Sequence, residues 1–244
     1  MSKNKDIINW YDVIDKKYLT TSVNPNYDDY KEFTGHKIKF PSKMLLVGNS
    51  GAGKTQLLAS IIKLFSDKTR NKKKMGTFRD IKIITRNKDN DPIYKYLADK
   101  SNQIQIYEND LSKIELDKYD KEDNHLLVFD DLVMEKNQTP ICETFIRCRK
   151  QNCMAIYLSQ SYYQTPKIIR TNCDYIALLK ISGTREINSI LRECSLGVEK
   201  KTLHKIYEYA TKDKFYPLFI DMIAEPEKRF RRGIFEIIDV NDFT

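Results

Sequence analysis

Eight consecutive residues constrain this chain more than any other part of it: Gly48-Asn49-Ser50-Gly51-Ala52-Gly53-Lys54-Thr55. They follow Met-Leu-Leu-Val, a short apolar run, and precede Gln-Leu-Leu-Ala-Ser-Ile-Ile-Lys-Leu-Phe at helical spacing. A G-x-x-x-x-G-K-[ST] segment between a strand and a helix predicts a phosphate-binding loop. The glycines let backbone N–H groups curl round a β-phosphate, and the helix N-terminus adds a favourable dipole. In this arrangement Lys54 bridges the β- and γ-phosphate oxygens of ATP and the Thr55 hydroxyl ligates Mg²⁺. Reading the segment as a plain connecting turn would leave unexplained a lysine preceded by three glycines within six residues.

A phosphate cradle needs an acid to organise the metal. Leu126-Leu127-Val128-Phe129-Asp130-Asp131 is an apolar strand ending in two carboxylates, as in a Walker B element. Asp130 is assigned to the Mg²⁺ shell. Asp131 is placed to orient the attacking water, a role that glutamate often fills in NTPases with an extra strand between the two Walker strands. A strand expected at Ile81 to Thr85 lies in sequence between those two, as it should if they are not neighbours in the sheet. Leu158-Ser159-Gln160 ends another apolar run, at the strand edge where open α/β sheets bind ligands. Gln160 is a candidate γ-phosphate sensor there, or simply the first residue of a loop.

Further apolar runs at 104–107, 154–158 and 175–179 alternate with helical or loop segments. The order predicts an α/β fold, a mostly parallel sheet covered by helices. The expected organisation is an N-terminal extension at 1–35, a P-loop core at 36–183, and C-terminal helices and strands packed on it at 184–244. In the last section the pattern suggests two helices, the second near Glu199 to Ala210, and strands at 215–222 and 233–238.

With 244 residues, 41% hydrophobic and 31% charged, the composition is that of a globular protein rather than a disordered or fibrous one. The five cysteines form no C-x-x-C pair, so neither a disulfide framework nor a zinc site is expected. No stretch is apolar enough for a membrane span and the start lacks a signal-peptide core. A cytosol-like compartment without membrane contact is therefore expected.

From Leu45 to about Leu179 the order of motifs resembles the FtsK/HerA superfamily, especially the genome-packaging ATPases of poxvirus-like large DNA viruses and virophages. The resemblance rests most on Val128-Phe129-Asp130-Asp131, on Arg149 to Tyr163 with its Ser159-Gln160-Ser161-Tyr162 piece, and on Pro166 to Asn172 with Ile169-Arg170-Thr171-Asn172. In size the chain is most similar to the virophage members. The resemblance implies a RecA-like core of the additional-strand type, assembled as a homo-oligomeric ring that threads double-stranded DNA into a capsid. It implies capsid proteins as partners and the host cytoplasm, at the site of virus assembly, as the location. In such rings a neighbouring subunit's arginine reaches the γ-phosphate. Arg149 is the first candidate, with Lys150 where the family usually has histidine, and Arg147 and Arg170 are alternatives.

The net charge of +8 favours polyanions. Two basic runs, Lys68 to Lys74 and Lys228 to Arg232, are candidates for phosphate contact or for solvated surface, and Arg86 to Asp91 is a candidate pore loop. Other readings are a HerA-like translocase not tied to a capsid, a P-loop nucleotide kinase, and a non-enzymatic binding module. Intact Lys54, Thr55, Asp130 and Asp131 argue against the last.

Overall fold

The computed structural model describes residues 36–66 and 77–244; the expected N-terminal extension and the first basic run lie outside them. Strands β1 (Lys43–Val47), β4 (His125–Asp130) and β5 (Cys153–Ser159) are buried along their whole length. Burial on both faces is why they read as unbroken apolar runs rather than alternating ones. With β2 (Asp80–Thr85), β3 (Ile104–Glu108), β6 (Tyr175–Leu178), β7 (Leu218–Asp221), β8 (Phe230–Arg232) and β9 (Glu236–Ile237) they form one nine-stranded sheet, ordered β3-β2-β4-β5-β1-β6-β7-β8-β9. Pairings from β3 through β6 are parallel and those from β6 through β9 antiparallel. The two Walker strands, β1 and β4, are not neighbours: β5 lies between them.

The period of two along each strand divides the core into halves. Leu45, Val47, Leu127, Phe129, Ala155 and Tyr157 face one side. There they meet α3 (Thr139–Arg147), α4 (Lys167–Asn172), α5 (Thr184–Glu193) and α6 (Lys200–Ala210). Met44, Leu46, Leu126, Val128, Met154 and Ile156 face the other side. There α1 (Lys54–Phe65) buries Leu57, Leu58, Ile61, Ile62 and Phe65, the i, i+1, i+4, i+5, i+8 face of an amphipathic helix. Beside it, α2 (Pro92–Lys100) buries Tyr94; Pro92 opens this helix and the Asp91 carboxylate caps it by accepting from Ile93 N at 2.8 Å.

The C-terminal section has one strand more than the sequence expectation: β7 falls within the expected 215–222 and β9 within 233–238, and β8 is additional. The run Lys228 to Arg232 supplies β8 itself, and Gly233 turns with φ 63°, leaving only Glu236 and Ile237 for β9. Alternation explains it: Phe230 enters the helix-rich half of the core, while Arg231, 3% exposed, turns to the other face. There it pairs with Asp221 and lies 5.6 Å over the Phe219 ring. A buried arginine with its own acid is compatible with a strand that composition alone reads as a basic surface segment.

Candidate active site

The loop joining β1 to α1 is held from both sides. Gly48 N donates to Ser159 O and Asn49 N to Lys180 O, each at 3.2 Å, tying it to the ends of β5 and β6. Two of its glycines are required sterically. A Cβ on Gly48 would lie 2.7 Å from Leu179 Cβ, and Gly53 combines φ 102° with a space where a Cβ would lie 2.3 Å from the Phe215 ring. Gly53 is also the residue before α1, and it offers no side-chain cap, nor does the first turn carry an acid. The first N–H groups of α1 are left for an external anion. Lys54 folds back over the loop, its Nζ donating to Gly48 O at 2.7 Å and Asn49 O at 3.1 Å. Burial lowers its pKa, opposed by the nearby charges of Asp130 and Asp131.

At the end of β4, Asp130 is 7% exposed. Its Oδ2 accepts from Tyr94 Oη at 2.8 Å and from Thr85 Oγ1 at 3.2 Å. Burial raises the Asp130 pKa, and these two donors and the Lys54 charge work against that rise. Both donors engage Oδ2, and among the described residues no hydrogen bond is recorded to Oδ1, which suits a hard cation that prefers carboxylate and hydroxyl oxygen. Thr55 lines the same cavity as Asp130. The donor set therefore fits Mg²⁺.

Asp131 takes a left-handed backbone conformation, φ 55°, which aspartate tolerates better than most residues. This turns its carboxylate toward the end of β5, where Oδ2 accepts from Gln160 Nε2 at 3.2 Å. Lys54, Thr55, Asp130, Asp131 and Gln160 thus line one cavity of about 410 Å³ together with Ser50, Gly51 and Gly53. The segment after β5 is fixed in turn: Glu186 of α5 accepts from Ser161 Oγ at 2.9 Å and Tyr162 N at 3.0 Å. The segment from Arg86 to Asp91 borders the same cavity through Asn87 and Asp91, and Arg86 pairs with Glu135.

The three candidate arginines are not in this group. Arg149 lies at the opposite end of the sheet, before β5 begins, and donates to Asp174 Oδ1 at 2.5 Å; the other oxygen of Asp174 accepts from Lys43 N at 2.8 Å. Arg147 pairs with Asp117. Arg170 bonds Glu193 at 2.7 Å and Thr165 O at 3.2 Å, with its guanidinium 4.7 Å from the Tyr162 ring centroid. It binds the Ile-Arg-x-Asn segment to the Ser-Gln-x-Tyr one, and both to α5. None of the three lines the cradle.

Sequence reasoning missed Tyr94, Thr85 and Phe215. Tyr94 is one of fifteen tyrosines and belongs to no motif; its place 36 residues from Asp130 arises only from packing α2 on the sheet. Thr85 had a local signal: it ends a strand, as Asp130 does, and the two are directly paired in register.

Residues 30–221 match the family described as Poxvirus A32 protein. No curated protein sequence matches the chain. Among solved structures, the chain is similar to the genome packaging NTPase B204 of Sulfolobus turreted icosahedral virus 2. The sulfate complex gives TM-score 0.52 at 16% identity, covering 76% of this chain and 94% of that one. The ATP-gammaS complex gives 0.51 at 17% identity, covering 75% and 93%. The B204 DNA-packaging ATPase of Sulfolobus turreted icosahedral virus gives 0.50 at 16% identity, covering 76% and 94%. At such identities the likeness establishes the shared fold.

Proposed function

Because the chain belongs to the Poxvirus A32 protein family, we propose that it is a motor that hydrolyses MgATP to move double-stranded viral DNA into a capsid. The observation that carries this reading is the convergence of Lys54, Thr55, Asp130, Asp131 and Gln160 on one cavity. The ATPase assignment is further supported by solved relatives of the same fold, described as genome-packaging NTPases in complex with AMP and ATP-gammaS.

The chemistry follows from the geometry. The loop amides and Lys54 would hold the β- and γ-phosphates, and the Thr55 hydroxyl and Asp130 carboxylate would hold Mg²⁺. An ion held there would supply charge neutralisation for the transferring phosphoryl group. Asp131 lies beyond Asp130, on the side of the Gln160 amide, and accepts a hydrogen bond from the attacking water. Gln160 bridges this carboxylate and the γ-phosphate position, so loss of the γ-phosphate is felt at the end of β5 and, through Glu186, in α5.

The finer elements of the reading are a homo-oligomeric ring, capsid proteins at the packaging vertex, and the host cytoplasm at the site of virus assembly. Arg149 would have to serve a neighbouring subunit, since its own cradle is at the far end of the sheet. The net charge of +8 supports a partner bound through its phosphates. Among the described residues no helix is long and apolar enough to cross a membrane.

The test is ATP hydrolysis by purified protein with and without double-stranded DNA of unrelated sequences, with Asp131→Asn as the blank. Strong stimulation irrespective of sequence is expected. Turnover indifferent to DNA but raised by a nucleotide acceptor would overturn the motor in favour of a kinase.

A further inference from the structure

The acids reach the phosphate cradle from one side only. Asp130 and Asp131 end β4 and Gln160 follows β5, and both strands lie on the same side of β1 in the sheet. On the other side come β6 and β7. A triphosphate laid along the loop with its γ-phosphate at the acids must direct its remaining end toward β6 and β7.

A second cavity, of about 370 Å³, opens there. Its walls are Asn49 to Ala52 of the phosphate loop, Lys180 and Ser182 after β6, and the segment from Thr211 to Tyr216 that joins α6 to β7. The volume is within the range of pockets that enclose small ligands. Asn49 ties the two walls of the β6 side together, its Nδ2 donating to Ser182 Oγ at 2.5 Å. The 211–216 segment is pinned by the pair Asp213–Arg232, and the Arg232 guanidinium lies 4.5 Å from the Tyr216 ring centroid.

Phe215 lines both cavities. Its backbone has φ 73°, a conformation that costs a bulky residue energy and that clusters at ligand sites. Despite that cost the chain places here a large aromatic ring that is 44% exposed. The ring lies against Gly53, and Lys214 Nζ is 4.9 Å from its centroid. Nothing in the core requires this ring, and its position marks the junction between phosphate cradle and second cavity.

We propose that the 211–216 segment forms the nucleoside end of the site, with Phe215 as the aromatic surface on which a purine base of the bound nucleotide stacks. This deepens the ATPase reading and rests on it. Base-on-aromatic stacking accepts any flat base, so Phe215 contributes affinity while the polar groups of Asn49, Lys180 and Ser182 bound the ribose and base edges.

The experiment is equilibrium binding of ATP and of inorganic tripolyphosphate, each with Mg²⁺, to the full chain and to its Phe215→Ala, Phe215→Gly and Phe215→Trp variants. Tripolyphosphate reads the phosphate cradle without the nucleoside. Removal of the ring by Ala or Gly should weaken ATP binding about tenfold, the scale of one lost base–aromatic stack, and leave tripolyphosphate unchanged. Gly also relieves the positive φ, so agreement between the two variants separates ring loss from backbone strain. Phe215→Trp should retain ATP affinity, with the new indole emission quenched by ATP and not by tripolyphosphate. Equal loss of both ligands, or loss of neither, overturns the proposal by reducing Phe215 to a wedge against Gly53. Failure of the wild-type chain to bind either ligand instead overturns the phosphate site itself, and this inference falls with it.

Discussion

Asp131 shows how much one residue's backbone decides. Its φ of 55° swings the carboxylate out of line with Asp130 and toward Gln160. Asparagine tolerates the same left-handed conformation, so Asp131→Asn keeps the loop shape, the Asp130 carboxylate and the Lys54 contacts while removing the charge proposed to orient water. MgATP binding is expected to be unchanged and turnover to fall about 10²-fold or more, the usual scale for a lost general base. Binding and single-turnover measurements on the same preparation check this; normal turnover would transfer the water-orienting role to Gln160. The residues of this mechanism were legible from their order along the chain because each belongs to a strand end or loop with a local signature. Tyr94 and Phe215 were not. An aromatic side chain carries no local mark of its partner, and both meet the site through packing of segments far apart in sequence.

At the scale of elements, pairs between neighbouring strands record how charge is used inside the sheet. His125 opens β4, with Nδ1 against Asp80 of β2 and Nε2 against Asp120 O at 2.9 Å, and its ring is stacked on Tyr119 with centroids 4.1 Å apart. Burial alone would lower its pKa, but the Asp80 and Asp120 hydrogen bonds and the nearby acids outweigh that and raise it above the ordinary 6.5. A raised histidine pKa stabilises the folded chain fully below 6.5, and this contribution is lost as pH rises through the higher folded value. Thermal unfolding is therefore expected to show a falling Tm over that window, and Asp80→Asn should flatten the fall; an unchanged slope in the variant would exclude the pair as its source. The same economy of charge explains where sequence reading of the fold stopped. Strands β1, β4, β5 and β6 were visible because burial on both faces leaves an unbroken apolar run. β8 was hidden because its alternate position is Arg231, whose acid partner Asp221 is ten residues away on β7 and invisible to periodicity.

At the scale of the whole molecule, Arg149 and the two basic runs bear on assembly and DNA. Arg149 is 45% exposed at its side chain and held by Asp174, at the end of the sheet remote from its own cradle. If it serves a neighbour, mixing Arg149→Ala with wild-type subunits should depress activity more than dilution explains. A role confined to holding Asp174 gives loss linear in the mutant fraction, together with a lowered Tm of the pure variant. The second basic run is less available than its composition suggests. In it, Arg231 is buried, and Arg232 engages Asp213 and Glu236. Arg229 donates to Ala224 O and Leu196 O. Cations already committed to internal acceptors release few counterions when DNA binds. The grip on phosphates should therefore draw little on these three arginines, and the run Lys68 to Lys74 is the other candidate that the sequence offers. Each phosphate neutralised contributes about 0.9 to the slope of log affinity against log salt. Replacing Lys72, Lys73 and Lys74 with glutamine is expected to reduce that slope by up to about 2.7 if all three meet phosphates, while Arg232→Gln leaves it in place, because Arg232 is already paired with Asp213 and Glu236. DNA binding across a salt series decides the matter, and a slope lowered by Arg232→Gln but not by the triple replacement would move the DNA path to the β8 edge of the sheet.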